Sequence, residues 1–117
     1  MKLKEITETI QAKVIVGDDD QLDKEIQIAC GSDLMSDVLS FIKPSALLLT
    51  GLTNSQVVRT AEMADIVSIC FVRGKQPLQE TIDLAKEKSI SLLSTDYTMF
   101  ESCGLLYEKG LRGCEYK

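Results

Sequence analysis

The chain has 117 residues, 44% hydrophobic and 26% charged, with a net charge of −5. That is one domain, and folding at this size removes roughly 65% of the unfolded chain's surface from water, enough for one core without staples. The acidic balance argues against nucleic acid and anionic membranes as partners, and the lack of histidine removes Ser-His-Asp and Cys-His nucleophiles and most zinc and iron sites.

Leu3, Ile6 and Ile10 recur at helical spacing, which predicts a first helix over Lys2–Ala12. Lys13–Val16 reads as a strand stopped by Gly17, and Asp18-Asp19-Asp20 as a solvated turn. Ile26–Cys30 reads as the next strand. Gly31 breaks it, and Ser32 or Asp33 caps a helix over Leu34–Phe41 whose apolar stripe is Leu34, Val38 and Phe41. Ala46–Leu49 is apolar throughout, as a central parallel strand should be. Thr53 to Gln56 fits a capping box opening a helix that carries Val57, Ala61 and Ala64 inward. Ile66–Phe71 is the second central strand. Pro77 suits the start of a helix lined by Leu78, Ile82 and Ala85. Ile90–Leu93 is the last strand, and Asp96 caps a final helix with Tyr97, Phe100, Gly104 and Tyr107 along one side. Lys109-Gly110 is a helix stop, and 111–117 is a tail without a place in this scheme.

Strand, polar loop and helix alternate four times. This predicts a single-domain three-layer α/β/α sandwich with a mixed, mostly parallel sheet of about five strands. Parallel strands bring their following loops to one rim, where such folds hold ligands. The candidate ligand-binding residues are therefore Ser32, Asp33, Thr50, Thr53, Asn54, Arg73, Gly74, Lys75, Ser94 and Thr95. Helix N-terminal N–H groups, hydroxyls and the two cations Arg73 and Lys75 suit an anion such as a nucleotide or phosphorylated metabolite.

Other chemistry is thin. No G-x-x-x-x-G-K-[ST] loop is present, which counts against a kinase. The three consecutive aspartates lack EF-hand spacing, and capping already accounts for Asp33, four residues before Asp37. No metal or cofactor is expected. Cys30, Cys70, Cys103 and Cys114 form no CxxC pair, so the first three are read as small core residues and a redox role ranks last. No stretch reaches the ~20 apolar residues of a membrane span, and no apolar run follows the basic start, so a cytoplasmic location is expected.

Leu22–Ile26 followed by Ser32–Val38, Gly74-Lys75-Gln76-Pro77 with Glu80-Thr81 and Ala85, and Ile90–Thr95 with Phe100-Glu101 and Gly104–Glu108 together resemble the DRTGG domain family from about Leu3 to Leu111. The name motif is degraded: Asp23 keeps the Asp, Lys24 replaces Arg, and Gln27-Ile28-Ala29 stands where the family has Thr-Gly-Gly. The resemblance implies a domain like the N-terminal domain of HPr kinase/phosphorylase, with no established chemistry of its own. It also makes antiparallel pairing of Lys13–Val16 with Ile26–Cys30 the expected arrangement. The function expected is a non-catalytic regulatory or interaction domain, homodimeric and sensing an anionic small molecule. The alternative is a small phosphoryl-handling or accessory enzyme using the Arg73–Lys75 loop.

Overall fold

The computed structural model describes residues 1–114. Its elements run α1 (Leu3–Thr9), β1 (Lys13–Val16), α2 (Asp19–Leu22), β2 (Ala29–Gly31), α3 (Met35–Phe41), β3 (Leu47–Thr50), α4 (Ser55–Met63), β4 (Ser68–Phe71), α5 (Gln79–Lys88), β5 (Ser91–Ser94) and α6 (Met99–Glu108). One five-stranded sheet has the order β1-β5-β4-β3-β2; β2 to β5 are parallel, and β1 is antiparallel to β5. The mixed, mostly parallel α/β architecture read from the alternation is the one found.

The antiparallel pairing is a correction. Lys13 and Val14 pair with Ser94 and Leu93, at the edge opposite β2. The segment expected to receive β1 is held by the chain start instead. Glu25 bridges Lys2, Leu3 N–H donates to the Lys24 carbonyl, and Ile26 N–H donates to the Met1 carbonyl at 2.6 Å. Ile26 is thereby drawn into the core, and the strand shortens from Ile26–Cys30 to Ala29–Gly31.

β3, β4 and β5 are buried along their whole length, so alternate side chains feed two cores. On one face Leu48, Ile69, Phe71 and Leu92 pack with Val38 of α3, Val57 and Ala61 of α4 and Ala85 of α5. On the other, Leu47, Leu49, Cys70 and Leu93 pack with Leu3 and Ile6 of α1, Ile10 just beyond it, and Leu106 of α6. Each Val, Leu, Ile or Phe among them, fully buried, contributes about 1.5–3 kcal/mol of transfer free energy.

Several helix starts shift. Asp18-Asp19-Asp20 is not a bare turn: the Asp18 side chain accepts from Gln21 N–H, the Gln21 side chain accepts from Asp18 N–H, and one turn of helix forms. Asn54, not Thr53, caps α4, and Thr98, not Asp96, caps α6. Pro77 lies before the start of α5, and Leu78 is half exposed at its N-cap. Of the stripe expected on α3, only Val38 is buried; Leu34 and Phe41 are exposed. The stop is as read: α6 ends at Glu108, and Gly110 takes φ +107°, a conformation only glycine adopts easily. Leu111–Gly113, the start of the unplaced tail, runs back along β2. Arg112 bridges Ile28 in parallel, its N–H donating to the Gln27 carbonyl and its carbonyl accepting from Ala29 N–H. Residues 115–117 of that tail lie outside the described residues.

Candidate functional site

Because β2 to β5 are parallel, the loops after them lie on one rim in the order Ser94-Thr95, Arg73–Lys75, Thr50–Asn54, Ser32-Asp33. At about 4.8 Å between neighbouring strands the outer two loops stand about 14 Å apart. The ten candidate residues therefore form no single ring. They fall into two hydrogen-bonded groups with Thr53 and Asn54 beside them.

The first group is built on Asp33. Its carboxylate accepts from Thr50 Oγ1 at 2.9 Å and from Gly51 N–H at 2.7 Å, while Thr50 Oγ1 accepts from Leu52 N–H at 3.2 Å. Asp33 thus ties β2's loop to β3's loop and does not cap α3, whose N-cap Leu34 has no side-chain cap. Ser32 Oγ accepts from Leu34 N–H instead. Next to this group, the Thr53 carbonyl accepts from Thr81 Oγ1 at 2.7 Å and from Leu78 N–H, fastening β3's loop to α5. The Asn54 side chain accepts from Gln56 N–H.

The second group sits at the topological switch. α5 follows β4 onto one face of the sheet, and α6 follows β5 onto the other. Loops that part in this way leave a crevice where ligands usually enter. Here the chain closes that crevice itself. Arg73 N–H donates to the Tyr97 carbonyl and Gly74 N–H to the Thr95 carbonyl, both at 2.8 Å, and Lys75 N–H donates to the Val72 carbonyl. Arg73 and Gly74 turn through φ +60° and +69° to do so. Ser94 Oγ donates to the Lys75 carbonyl and accepts from the Gln76 amide, and Thr95 Oγ1 donates to the Ile10 carbonyl at 2.6 Å. The N–H groups of Arg73, Gly74 and Lys75, which a phosphate in this loop would meet, are committed. The side chains of Arg73 and Lys75 remain as exposed cations.

The region that sequence reasoning missed is the β2 edge beneath α6. Gly31 has no side chain there, and an added Cβ would come within 2.9 Å of both Cys103 Sγ and Met99 Sδ. This close approach seats α6 through Met99, Ser102, Cys103 and Leu106. The row Phe100, Gly104, Tyr107 consequently faces outward: Phe100 is 83% exposed, Tyr107 61%, and nothing lies within 4 Å of a Cβ placed on Gly104. A cavity of about 190 Å³ lies between Gly31, Leu49, Leu106 and Leu111. A wider hollow of about 790 Å³ opens beside it, bordered by Lys43, Tyr107 and Arg112. The Arg112 guanidinium lies 4.4 Å over the Tyr107 ring, a cation–π contact. Gly31 read as a strand breaker, and only the long-range placement of α6 turns it into a seat.

The four cysteines are free thiols. Cys70 is fully buried, and burial pushes its thiol up to about 12, so it is inert packing at neutral pH. Among the described residues no helix is long and apolar enough to cross a membrane.

The family model described as the DRTGG domain matches residues 5–108. Among solved structures, the CBS and DRTGG domains of the regulatory region of Clostridium perfringens pyrophosphatase, complexed with the activator diadenosine tetraphosphate, superpose with a TM-score of 0.73 at 17% identity. The match covers 90% of this chain and 45% of that one, so this chain spans less than half of that neighbour. At that identity the likeness is one of fold. No curated protein matched the sequence.

Proposed function

The chain belongs to the DRTGG domain family, and on that premise we propose that it is a non-catalytic regulatory module that acts by contact, as a homodimer. The observation that carries this reading is the outer face of α6. Phe100 and Tyr107 present large aromatic surface to solvent with Gly104 between them. Aromatic residues are what interface cores favour, and a glycine lets two helix backbones approach closely. A two-fold axis across this row would set Phe100 of one protomer against Tyr107 of the other, the self-complementary arrangement of an isologous dimer. The neighbour's place in a regulatory region supports the same reading. Light scattering after size exclusion tests it. The wild type is expected to elute as a dimer, and Phe100→Glu as a folded monomer with unchanged circular dichroism. A wild-type monomer at micromolar concentration, or a dimer indifferent to Phe100→Glu, would refute it.

A second reading concerns a signal. Arg73 and Lys75 stand exposed at the switch point, beside helix starts, and they are the groups with which this domain would read an anionic metabolite of the nucleotide class. The neighbour's nucleotide activator supports that ligand class. With the loop N–H groups committed, the grip rests on side chains, and modest affinity follows. The phosphoryl-handling alternative needs those same N–H groups around a phosphate and is not favoured. A thermal-shift panel of nucleotides and sugar phosphates tests the sensing reading, since a ligand at a hundred times its Kd adds about 2.7 kcal/mol. The shift should vanish in the Arg73→Ala, Lys75→Ala double variant. No shift, or an equal shift in that variant, would remove the rim from consideration. The free thiols fit the reducing cytoplasm expected for such a module.

A further inference from the structure

Three of the four cysteines gather at the β2 edge, although no two are close in sequence. Cys30 lies on β2 itself, opposite Leu48, so its side chain points to the face covered by α3. Cys114 lies on the segment that runs beside β2. Arg112 of that segment bridges Ile28 in parallel, and Cys114 follows two residues beyond that bridge, as Cys30 follows two residues beyond Ile28. A disulfide needs Cα atoms about 4.4–6.8 Å apart, and the two thiols are near enough for Cys114 to act on the ionisation of Cys30. The Cys114 sulfur is also on the α3 side, since it accepts from Lys43 N–H at 3.2 Å, just past the end of α3. Both residues are half-buried. Cys103 is seated on the opposite face, over Gly31.

We propose that Cys30 and Cys114 are a dithiol site for peroxide oxidation, whose disulfide ties the segment after α6 to the edge strand β2. Burial pushes the Cys30 thiol above its ordinary range, with Cys114, Cys103 and Asp37 adding to the effect. The first attack is assigned to Cys114, which lies on the segment outside the sheet while Cys30 is held within β2. The Cys114 thiolate attacks one peroxide oxygen, the O–O bond breaks, and the leaving hydroxide takes a proton to depart as water, leaving a sulfenic acid. The Cys30 sulfur then displaces the sulfenic hydroxyl. An S–S bond forms, the Cys30 proton leaves with the hydroxyl as a second water, and two electrons have passed from sulfur to peroxide. The Lys43 contact is given up in the process. The bond fixes the segment that carries Arg112, and with it the Arg112–Tyr107 stack. The inference stands apart from the dimer and the ligand proposed above.

The test uses the full chain, reduced, then treated with hydrogen peroxide at a one-to-one ratio, alkylated and digested without reduction. Mass spectrometry is expected to find a Cys30–Cys114 linked peptide within one chain, with Cys70 and Cys103 alkylated once the protein is unfolded. The link should persist in Cys103→Ser and be absent in Cys114→Ser and in Cys30→Ala. Oxidation should raise Tm in the wild type and leave Tm unchanged in Cys114→Ser. A first link through Cys103, a link between chains, or oxidation of one thiol to the sulfinic acid without any link would each overturn the proposal.

Discussion

The rim of the sheet and the outer face of α6 are opposites. The rim is rich in Ser, Thr and Gly, the residues whose hydroxyls and N–H groups bind anions in many α/β proteins. Yet several of its donors are committed to its own carbonyls and carboxylates: Thr50 and Gly51 to Asp33, Arg73 to Tyr97 and Gly74 to Thr95. The α6 face is apolar and aromatic, and its most exposed side chain, Phe100, touches mostly water. Polar residues at the expected position have become stitching. Apolar residues on a helix that could have been core face solvent instead. Residue type at a loop therefore tells less about function than whether its hydrogen bonds are already made.

Substitutions sharpen this contrast, and the largest effect belongs to the rim. Thr95→Val keeps the shape but removes the donor to the Ile10 carbonyl and the acceptor for Tyr97 N–H. Two groups then lose their partners, and the variant should lose about 3 kcal/mol in urea unfolding. Gly31→Ala comes next. Its Cβ meets two sulfur atoms at 2.9 Å, so α6 must lift or Met99 and Cys103 must turn, at about 2 kcal/mol. Gly74→Ala should cost about 1 kcal/mol by the same measurement, because φ is +69° and Asp96 Oδ1 stands 3.1 Å from the new carbon. Phe100→Glu is expected to fall within about 0.5 kcal/mol of the wild type when unfolding is referred to the monomer, since an exposed side chain contributes little to the fold.

The smallest effect is electrostatic. Lys2 Nζ donates to Asp23 Oδ1 at 2.8 Å on the open surface, and this hydrogen bond lowers the Asp23 carboxyl below its ordinary value. A lowered carboxyl contributes stability above its unfolded pKa and loses it as pH falls through the folded value. The stability difference between wild type and Asp23→Asn should thus be small at neutral pH, vanish in acid, and shrink in high salt. Lys2 is raised by the same bond, so its share fades only as pH climbs past the lysine range.

Much of the fold was legible because it is written locally. All-apolar runs such as Leu47–Leu49 predict central parallel strands, and the stop at Lys109-Gly110 follows from helix-end chemistry. What was not legible depends on distant partners. Lys13–Val16 carries nothing that chooses β5 over β2, and the choice is made when Glu25 and Ile26 bind the chain start. α6 is apolar nearly all round at Met99, Phe100, Cys103, Leu105, Leu106 and Tyr107, so spacing alone cannot say which side is buried. The missing side chain at Gly31 decides it. The rim loops were placed correctly on one edge by strand parallelism. That Asp33 reaches across to Thr50, or that Gly74 donates to Thr95, is a property of loops meeting in space, which no local pattern records.

Amide hydrogen exchange followed across a range of protein concentrations weighs both regions in one experiment. Exchange in the peptide spanning 99–108 should slow as concentration rises, while the amides of Gly51, Arg73 and Gly74 stay protected at every concentration. An α6 peptide indifferent to concentration, together with rim amides that exchange freely, would contradict the account.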